Sequence, residues 1–218
     1  MRALALADHA ARERISILCL GAHCDDIDIG CGGSLLALLR RYRADVTWAV
    51  FNAHGAREQE LRASARRFLR GAVRTRLITR DYRDGFFPAL LVPIKEDFET
   101  LKQSAAPDLV FTHHRADRHQ DHQLIAQLTW QTFRRDLILE YEIAKYEGDL
   151  TTPCTYVELL PAQAERKIEI LLDCYRSQRS KPWFTADTFR ALMRLRGVES
   201  GGKSGWAEGF HAAKVLLA

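Results

Sequence analysis

The sequence predicts an α/β fold, a mostly parallel sheet with helices on both faces. Two observations carry this. Short strand-like apolar runs alternate with longer helix-like segments from Ile15 onward, as in β-α-β units. The first run, Ile15-Ser16-Ile17-Leu18-Cys19-Leu20, is apolar at nearly every position, as in a strand covered on both faces. It passes directly into a polar, glycine-rich turn before an apolar-periodic segment.

The elements follow in order. Residues 15–22 are the first strand and residues 32–43 a helix. Residues 45–52, Asp-Val-Thr-Trp-Ala-Val-Phe-Asn, carry the β-branched and aromatic content of a strand. Residues 57–70 form a charged amphipathic helix with a solvated face. Residues 74–79 are a strand, and 81–93 a loop holding Asp84-Gly85 and two prolines. A helix over 94–104, a strand over 108–113, a helix over 117–134 and a strand over 137–143 continue the alternation. After Gly148 the pattern loosens. A strand over 156–160, a helix over 162–176, a further segment from Pro182-Trp183-Phe184, a turn over 201–205 and a last element over 210–217 complete the chain. No repeat interrupts it. The expectation is one domain over residues 1–218, with 149–218 elaborating it.

Bulk properties narrow the function classes. The net charge of +4, from 32 basic and 28 acidic residues, forms no long basic block and does not point to nucleic acid. Arginine outnumbers lysine, and guanidinium groups suit phosphate or carboxylate ligands. The five cysteines, Cys19, Cys24, Cys31, Cys154 and Cys174, are odd in number and include no C-x-x-C pair, which fits reduced thiols in a cytoplasmic protein. The apolar run over 3–7 is interrupted by Asp8, His9, Arg12 and Glu13, so it is too short for a signal segment. No stretch reaches the roughly 20 apolar residues of a membrane span.

The chemistry concentrates in two segments. His23, Asp25 and Asp26 follow the first strand, where open α/β sheets bind ligands. An imidazole and a carboxylate make half of a zinc site, and a second carboxylate beside it takes a proton from water that zinc has acidified. The competing role is capping of a helix that starts near Ile29, and Asp28 is read as that cap. Gly30, Gly32 and Gly33 form G-x-G-G, short of a dinucleotide motif, and the acids before them repel a pyrophosphate; close packing accounts for them better.

The second segment runs from His113 to His122. His119 and His122 are three apart and share a helix face. One completes the zinc site, and the other protonates the leaving group or steadies the oxyanion. Asp121 orients a histidine from behind, and Asp117 opens a capping box, Asp117-Arg118-His119-Gln120. His113 lines the pocket. Arg57, at the carboxyl end of the second strand, contacts substrate. At this level a metal hydrolase stands ahead of a nucleotide-cofactor protein.

These residues resemble the signatures of the PIG-L/LmbE-like de-N-acetylases. His23-Cys24-Asp25-Asp26 with Gly30-Cys31-Gly32-Gly33 resembles their H-P-D-D-x-x-x-G-x-G-G, and His119-Gln120-Asp121-His122 their H-x-D-H. Arg57-Glu58-Gln59-Glu60 is similar to their R-x-x-E, Lys167 through Tyr175-Arg176-Ser177-Gln178 to their K…Y-x-S-Q, and Trp206-Ala207-Glu208-Gly209-Phe210 to Y-A-E-A-F. The resemblance implies a Rossmann-like sheet and one Zn2+, with Fe2+ or another divalent ion accepted by the same donors. It implies removal of an acetyl or other acyl group from the amino group of a sugar or glycoconjugate. By position it assigns His23, Asp26 and His122 to the metal, Asp25 to the general base and His119 to the oxyanion or leaving amine, with Asp121 supporting His119. The partner is then a small N-acylated sugar or sugar conjugate; the alternative is the same chemistry on a thiol-sugar conjugate or another small amide. Cys24 stands where the family has proline, which loosens the loop or brings a thiol to the metal. The sugar and the oligomeric state stay open.

Overall fold

The structure, a computed structural model, describes residues 14–215. The reading of residues 3–7 and the end of the 210–217 element lie outside the described residues. Among the described residues seven strands form one sheet: β1 (Ile15–Gly21), β2 (Ala44–Val50), β3 (Arg74–Thr79), β4 (Leu109–His113), β5 (Leu137–Tyr141), β6 (Thr155–Glu158) and β7 (Ala207–His211). Their order is β3-β2-β1-β4-β5-β7-β6. The first five are parallel, while β7 runs antiparallel to both β5 and β6. The sheet is therefore mostly parallel, as the sequence predicts.

Strand β1 shows why. Its residues alternate between two apolar layers, and both layers are covered. Ile17 and Cys19 join a cluster with Leu35, Leu61, Phe68, Ile168, Leu171 and Met193. Leu18 and Leu20 join the other, with Ile94, Phe98, Leu101, Ile125 and Leu128. The first layer is supplied by α1 (Asp26–Arg41), α2 (Gly55–Phe68), α5 (Pro161–Cys174) and α6 (Ala186–Ser200). The second comes from α3 (Leu91–Ser104) and α4 (Gln120–Thr132). The chain leaves β1 toward β2 on one side and returns to β4 on the other. The carboxyl ends of β1 and β4 thus flank the point where strand order reverses, the place an open α/β sheet offers a ligand.

Boundaries differ from expectation in instructive ways. Helix α1 begins at Asp26 rather than at Gly32, so the glycines lie inside it. They are there for contact. A Cβ on Gly30 would sit 2.2 Å from the Tyr141 ring, one on Gly32 2.7 Å from Phe68, and one on Gly33 2.7 Å from Leu159. Helix α3 starts at Leu91, ahead of the predicted Ile94, with Pro93 in its first turn, where a missing N–H costs nothing. The segment after Trp183 is α6, closed by Gly201 in the left-handed conformation at φ 63°. The final element is β7, three residues earlier than expected. No described helix is long and apolar enough to cross a membrane.

A buried ion pair ties the late elements to the early ones. Lys167 Nζ on α5 lies 2.6 Å from Glu208 Oε1 on β7, and Glu208 also accepts the N–H groups of Gly33 and Ser34 in α1 at 2.9 and 2.7 Å. Two of the motif segments, those around Lys167 and Glu208, thus act as braces behind α1.

Candidate active site

Strand β1 ends at Gly21, and a tight turn, Ala22 to Asp25, leads into α1. Asp26, the first helical residue, folds its carboxylate back to accept the His23 N–H at 2.6 Å. Across the sheet, β4 ends at His113 and a second turn leads into α4, whose first turn carries His122. Three donor atoms converge. His23 Nδ1 lies 3.1 Å from His122 Nε2 and 3.5 Å from Asp26 Oδ2, and His122 Nε2 lies 3.6 Å from Asp26 Oδ2. At zinc bond lengths of about 2.0–2.1 Å, a tetrahedron has edges of roughly 3.3–3.4 Å. The donor set therefore fits a four-coordinate ion with one position left over. Three other donor groups overlap it: His23, His119 and His122; Asp26, His113 and His122; and His23, Asp84, His119 and Asp121. The atoms of each lie within 4.8 Å of one another.

The electrostatics favour a cation. Burial works against the charge on Asp26, yet His122, His113 and His23 hold its pKa well below the usual carboxylate range. Burial likewise works against a charged His23, but Asp26, Asp121 and Asp84 hold its pKa well above the ordinary value. His119 and His122 move the other way, pushed down by burial and by the neighbouring histidines.

The remaining predicted residues take distinct places. Asp25 is the N-cap residue of α1 but makes no capping bond. Its Oδ1 accepts from Arg57 Nη2 at 2.5 Å, so α2 delivers Arg57 onto the carboxylate the sequence nominates as base. His119 is the N-cap of α4, its Nδ1 accepting the Asp121 N–H at 3.2 Å. A neutral ring bonded this way carries its proton on Nε2. His119 stands edge-on to His23, with ring centres 4.9 Å apart. Asp121 backs a histidine, but its hydrogen bond goes to His23 rather than to His119. It accepts from Gly85 N at 2.6 Å and Phe87 N at 3.0 Å, and its Oδ2 lies 3.3 Å from His23 Nε2. It pins the β3–α3 loop and backs His23.

Two capping assignments are corrected. The N-cap of α4 is His119, not Asp117. Asp117 Oδ2 lies 2.9 Å from His122 Nδ1, and its Oδ1 accepts the His119 N–H at 2.8 Å. Asp28 lies inside the first turn of α1, fully buried, bonded to Ser64 Oγ and, at 2.9 Å, to the Tyr175 hydroxyl. For Asp28 the partners, Ser64 and Tyr175, lie far along the chain, where a one-turn window does not reach. His113 is buried against Asp26 and accepts the Ala22 N–H at 3.0 Å, while His114 turns away to Glu140. Cys24 is no threat to the metal chemistry. Its Sγ donates to the Asn52 carbonyl, burial pushes its pKa up to about 12, and the Tyr175 hydroxyl fixes its carbonyl at 2.6 Å.

Asp84 was not foreseen. It reaches His23 Nε2 at 3.0 Å from the loop that Gly85 turns at φ 78°. The Asp84-Gly85 pair read only as a turn signal.

Burial pushes the Asp28 pKa up to about 8, far above its unfolded value of about 3.9. A raised carboxyl contributes stability that is complete below the unfolded pKa and is lost as pH rises through the folded one. Metal-free protein is thus expected to lose stability between roughly pH 4 and pH 8 in part through Asp28, and Asp28→Asn to remove that share. Melting curves of the two proteins across this range check it; parallel profiles would mean an ordinary Asp28.

Comparison with known proteins adds to this geometry. The family described as GlcNAc-PI de-N-acetylase (PIG-L) matches residues 18–133. The uncharacterized deacetylase YaiS of Escherichia coli (strain K12) is 29% identical over 160 residues, covering 70% of this chain and 82% of that protein. Among solved structures, the N,N'-diacetylchitobiose deacetylase from Pyrococcus horikoshii superposes with a TM-score of 0.69 at 18% identity, over 94% of this chain and 85% of its own. GalB of Pseudomonas putida KT2440, a 4-carboxy-2-hydroxymuconate hydratase, superposes with a TM-score of 0.70 at 15% identity, over 94% and 98%. The fold is shared by both, so the reaction must be argued from the site.

Proposed function

Because the chain belongs to the PIG-L family of GlcNAc-PI de-N-acetylases, we propose that it is a metal-dependent deacetylase removing an N-acetyl or other N-acyl group from an amino sugar or glycoconjugate. The observation that carries this reading is the convergence of His23 Nδ1, Asp26 Oδ2 and His122 Nε2 within 3.6 Å, with Asp25 next in the chain. Two imidazoles and one carboxylate suit Zn2+, and Fe2+ is accepted by the same donors. A divalent ion bound there supplies Lewis acidity, polarising an amide carbonyl and lowering the pKa of water toward about 7.

The chain's own residues do the rest. Asp25 is the general base. Arg57 occupies its Oδ1, leaving Oδ2 to take a proton from the attacking water. The same carboxyl then gives that proton to the nitrogen as the C–N bond breaks, so a carboxylate and a free amine leave. His119 donates its Nε2–H to the amide oxygen as negative charge gathers there. Burial and its histidine neighbours keep that ring neutral, and so a hydrogen-bond donor without a charge to desolvate. Arg57, whose side chain stays 28% exposed beside Asp25, contacts the substrate. Asp121 holds His23 and the loop that carries Asp84.

Amine release tests the reading. Protein stripped of metal, then reloaded with zinc, is assayed on N-acetylglucosamine and its conjugates. Amine is expected from the reloaded protein and not from the stripped one. Zinc-loaded protein that releases amine from no N-acylated sugar overturns the substrate class, and thiol-sugar conjugates and other small amides follow.

A further inference from the structure

Lys145 lies outside every motif of the sequence, in the segment after β5, yet its ammonium is enclosed beside the metal-binding histidines. Its Nζ sits 3.0 Å from Asp117 Oδ2 and 2.6 Å from Asp149 Oδ2. The side chains of Lys145, Asp117 and Asp149 are 8%, 5% and 6% exposed. Asp149 Oδ2 in turn accepts the Arg118 N–H at 2.8 Å, which closes a ring of bonds between this segment and the turn before α4. Asp117 is the hub. It accepts from the His122 ring and from the His119 backbone with its two oxygens, so both histidines of the second motif hang on one carboxylate.

We propose that Lys145, anchored by Asp149, is a positioning residue for the metal centre, acting through Asp117 to aim His122 Nε2 at the ion. The physical case is one of constraint. A ligating histidine is oriented by the acceptor of its other N–H, and the loss of such an acceptor typically weakens metal binding 10–100-fold. The His119 N–H holds Oδ1 of Asp117, which leaves Oδ2, the oxygen facing His122, to be fixed from its other side. A charge-assisted bond from a buried ammonium fixes it. Lys145 also supplies the positive charge that a buried carboxylate needs when the histidine it faces is neutral.

The inference rests on His122 being a metal ligand, and the experiment separates the two. Zinc dissociation constants are measured by competition with a chromogenic chelator for wild type, Lys145→Met, Lys145→Arg, Asp117→Asn, the Lys145→Met/Asp117→Asn double variant and His122→Ala. Melting curves of the metal-free proteins report folding. Lys145→Met is expected to bind zinc at least about 10-fold more weakly, the range seen when outer partners of ligands are lost. Lys145→Arg is expected to stay within about 3-fold of wild type, and the double variant to be no weaker than Asp117→Asn alone, since both changes break one chain of bonds. Wild-type affinity in Lys145→Met alongside lost zinc in His122→Ala overturns the role of Lys145 and leaves the site intact. Additive losses in the double variant overturn it as well. Should Lys145→Met fail to fold, Asp149→Asn tests the same anchor. Unchanged zinc affinity in His122→Ala overturns the site reading itself.

Discussion

Asp25→Asn is expected to lower kcat by roughly 10²–10⁴-fold, the usual contribution of a positioned base, with bound metal unchanged. The amide keeps the shape of the carboxylate, and its oxygen still accepts from Arg57 as Asp25 Oδ1 does at 2.5 Å. What disappears is the capacity to hold a proton between the attack of water and departure of the amine. Asp25 belongs to none of the donor groups that gather around His23 and His122, so the ion has no reason to leave. The pair of measurements, turnover and metal per chain, separates a base from a ligand. Near-normal turnover removes Asp25 from the mechanism. Lost metal moves it into the coordination sphere.

The second large effect is expected from His122→Ala, which should abolish both tight metal binding and turnover. His122 belongs to the set His23–Asp26–His122 and to two of the overlapping donor groups, so an ion in any of them loses a ligand. Only the group of His23, Asp84, His119 and Asp121 survives the change. Losing an outer partner of a ligand typically costs 10–100-fold in affinity, and losing the ligand itself should exceed that. Metal content by elemental analysis reads the outcome. A full complement of metal in the variant would place the ion in the surviving group and displace Asp26 from the centre.

Much of this was legible in the sequence, for physical reasons that also mark where legibility stops. A strand covered on both faces is written as the unbroken apolar run of β1, and the polar turn after it falls at the only end of such a strand where ligands bind. The pattern brought the two turns together but left open which histidine joins His23; the resemblance to the H-x-D-H signature pointed to His122, which lies 3.1 Å from His23 across 99 residues. The start of α1 could not be read, because its first turns hold acids and glycines instead of an apolar stripe, and those glycines answer to Tyr141 and Phe68 on other elements. Asp28 and Asp117 carry the local signature of caps. Their distant partners, Tyr175 at 147 residues from Asp28 and Lys145 beyond the next helix and strand from Asp117, leave no trace in a window of one turn, although Asp117 also bonds to His119 and His122 nearby. Helix α6 was left unassigned for a similar reason: Phe189 and Met193 pack into the core, but exposed Leu195 and Val198 blur the stripe.

The brace behind α1 bears on when the site can come into being. Glu208 reaches back 175 residues to Gly33, and the Tyr175 hydroxyl holds the Cys24 carbonyl from 151 residues away. During synthesis the turns that carry His23, Asp26 and His122 leave the ribosome before these supports do. The nascent chain thus carries His113, His114, His119 and His122 before the bonds that brace the site are in place. The bonds from Tyr175 and Glu208 that brace α1 and the turn before it can form only after residue 208 has emerged and β7 lies beside β5.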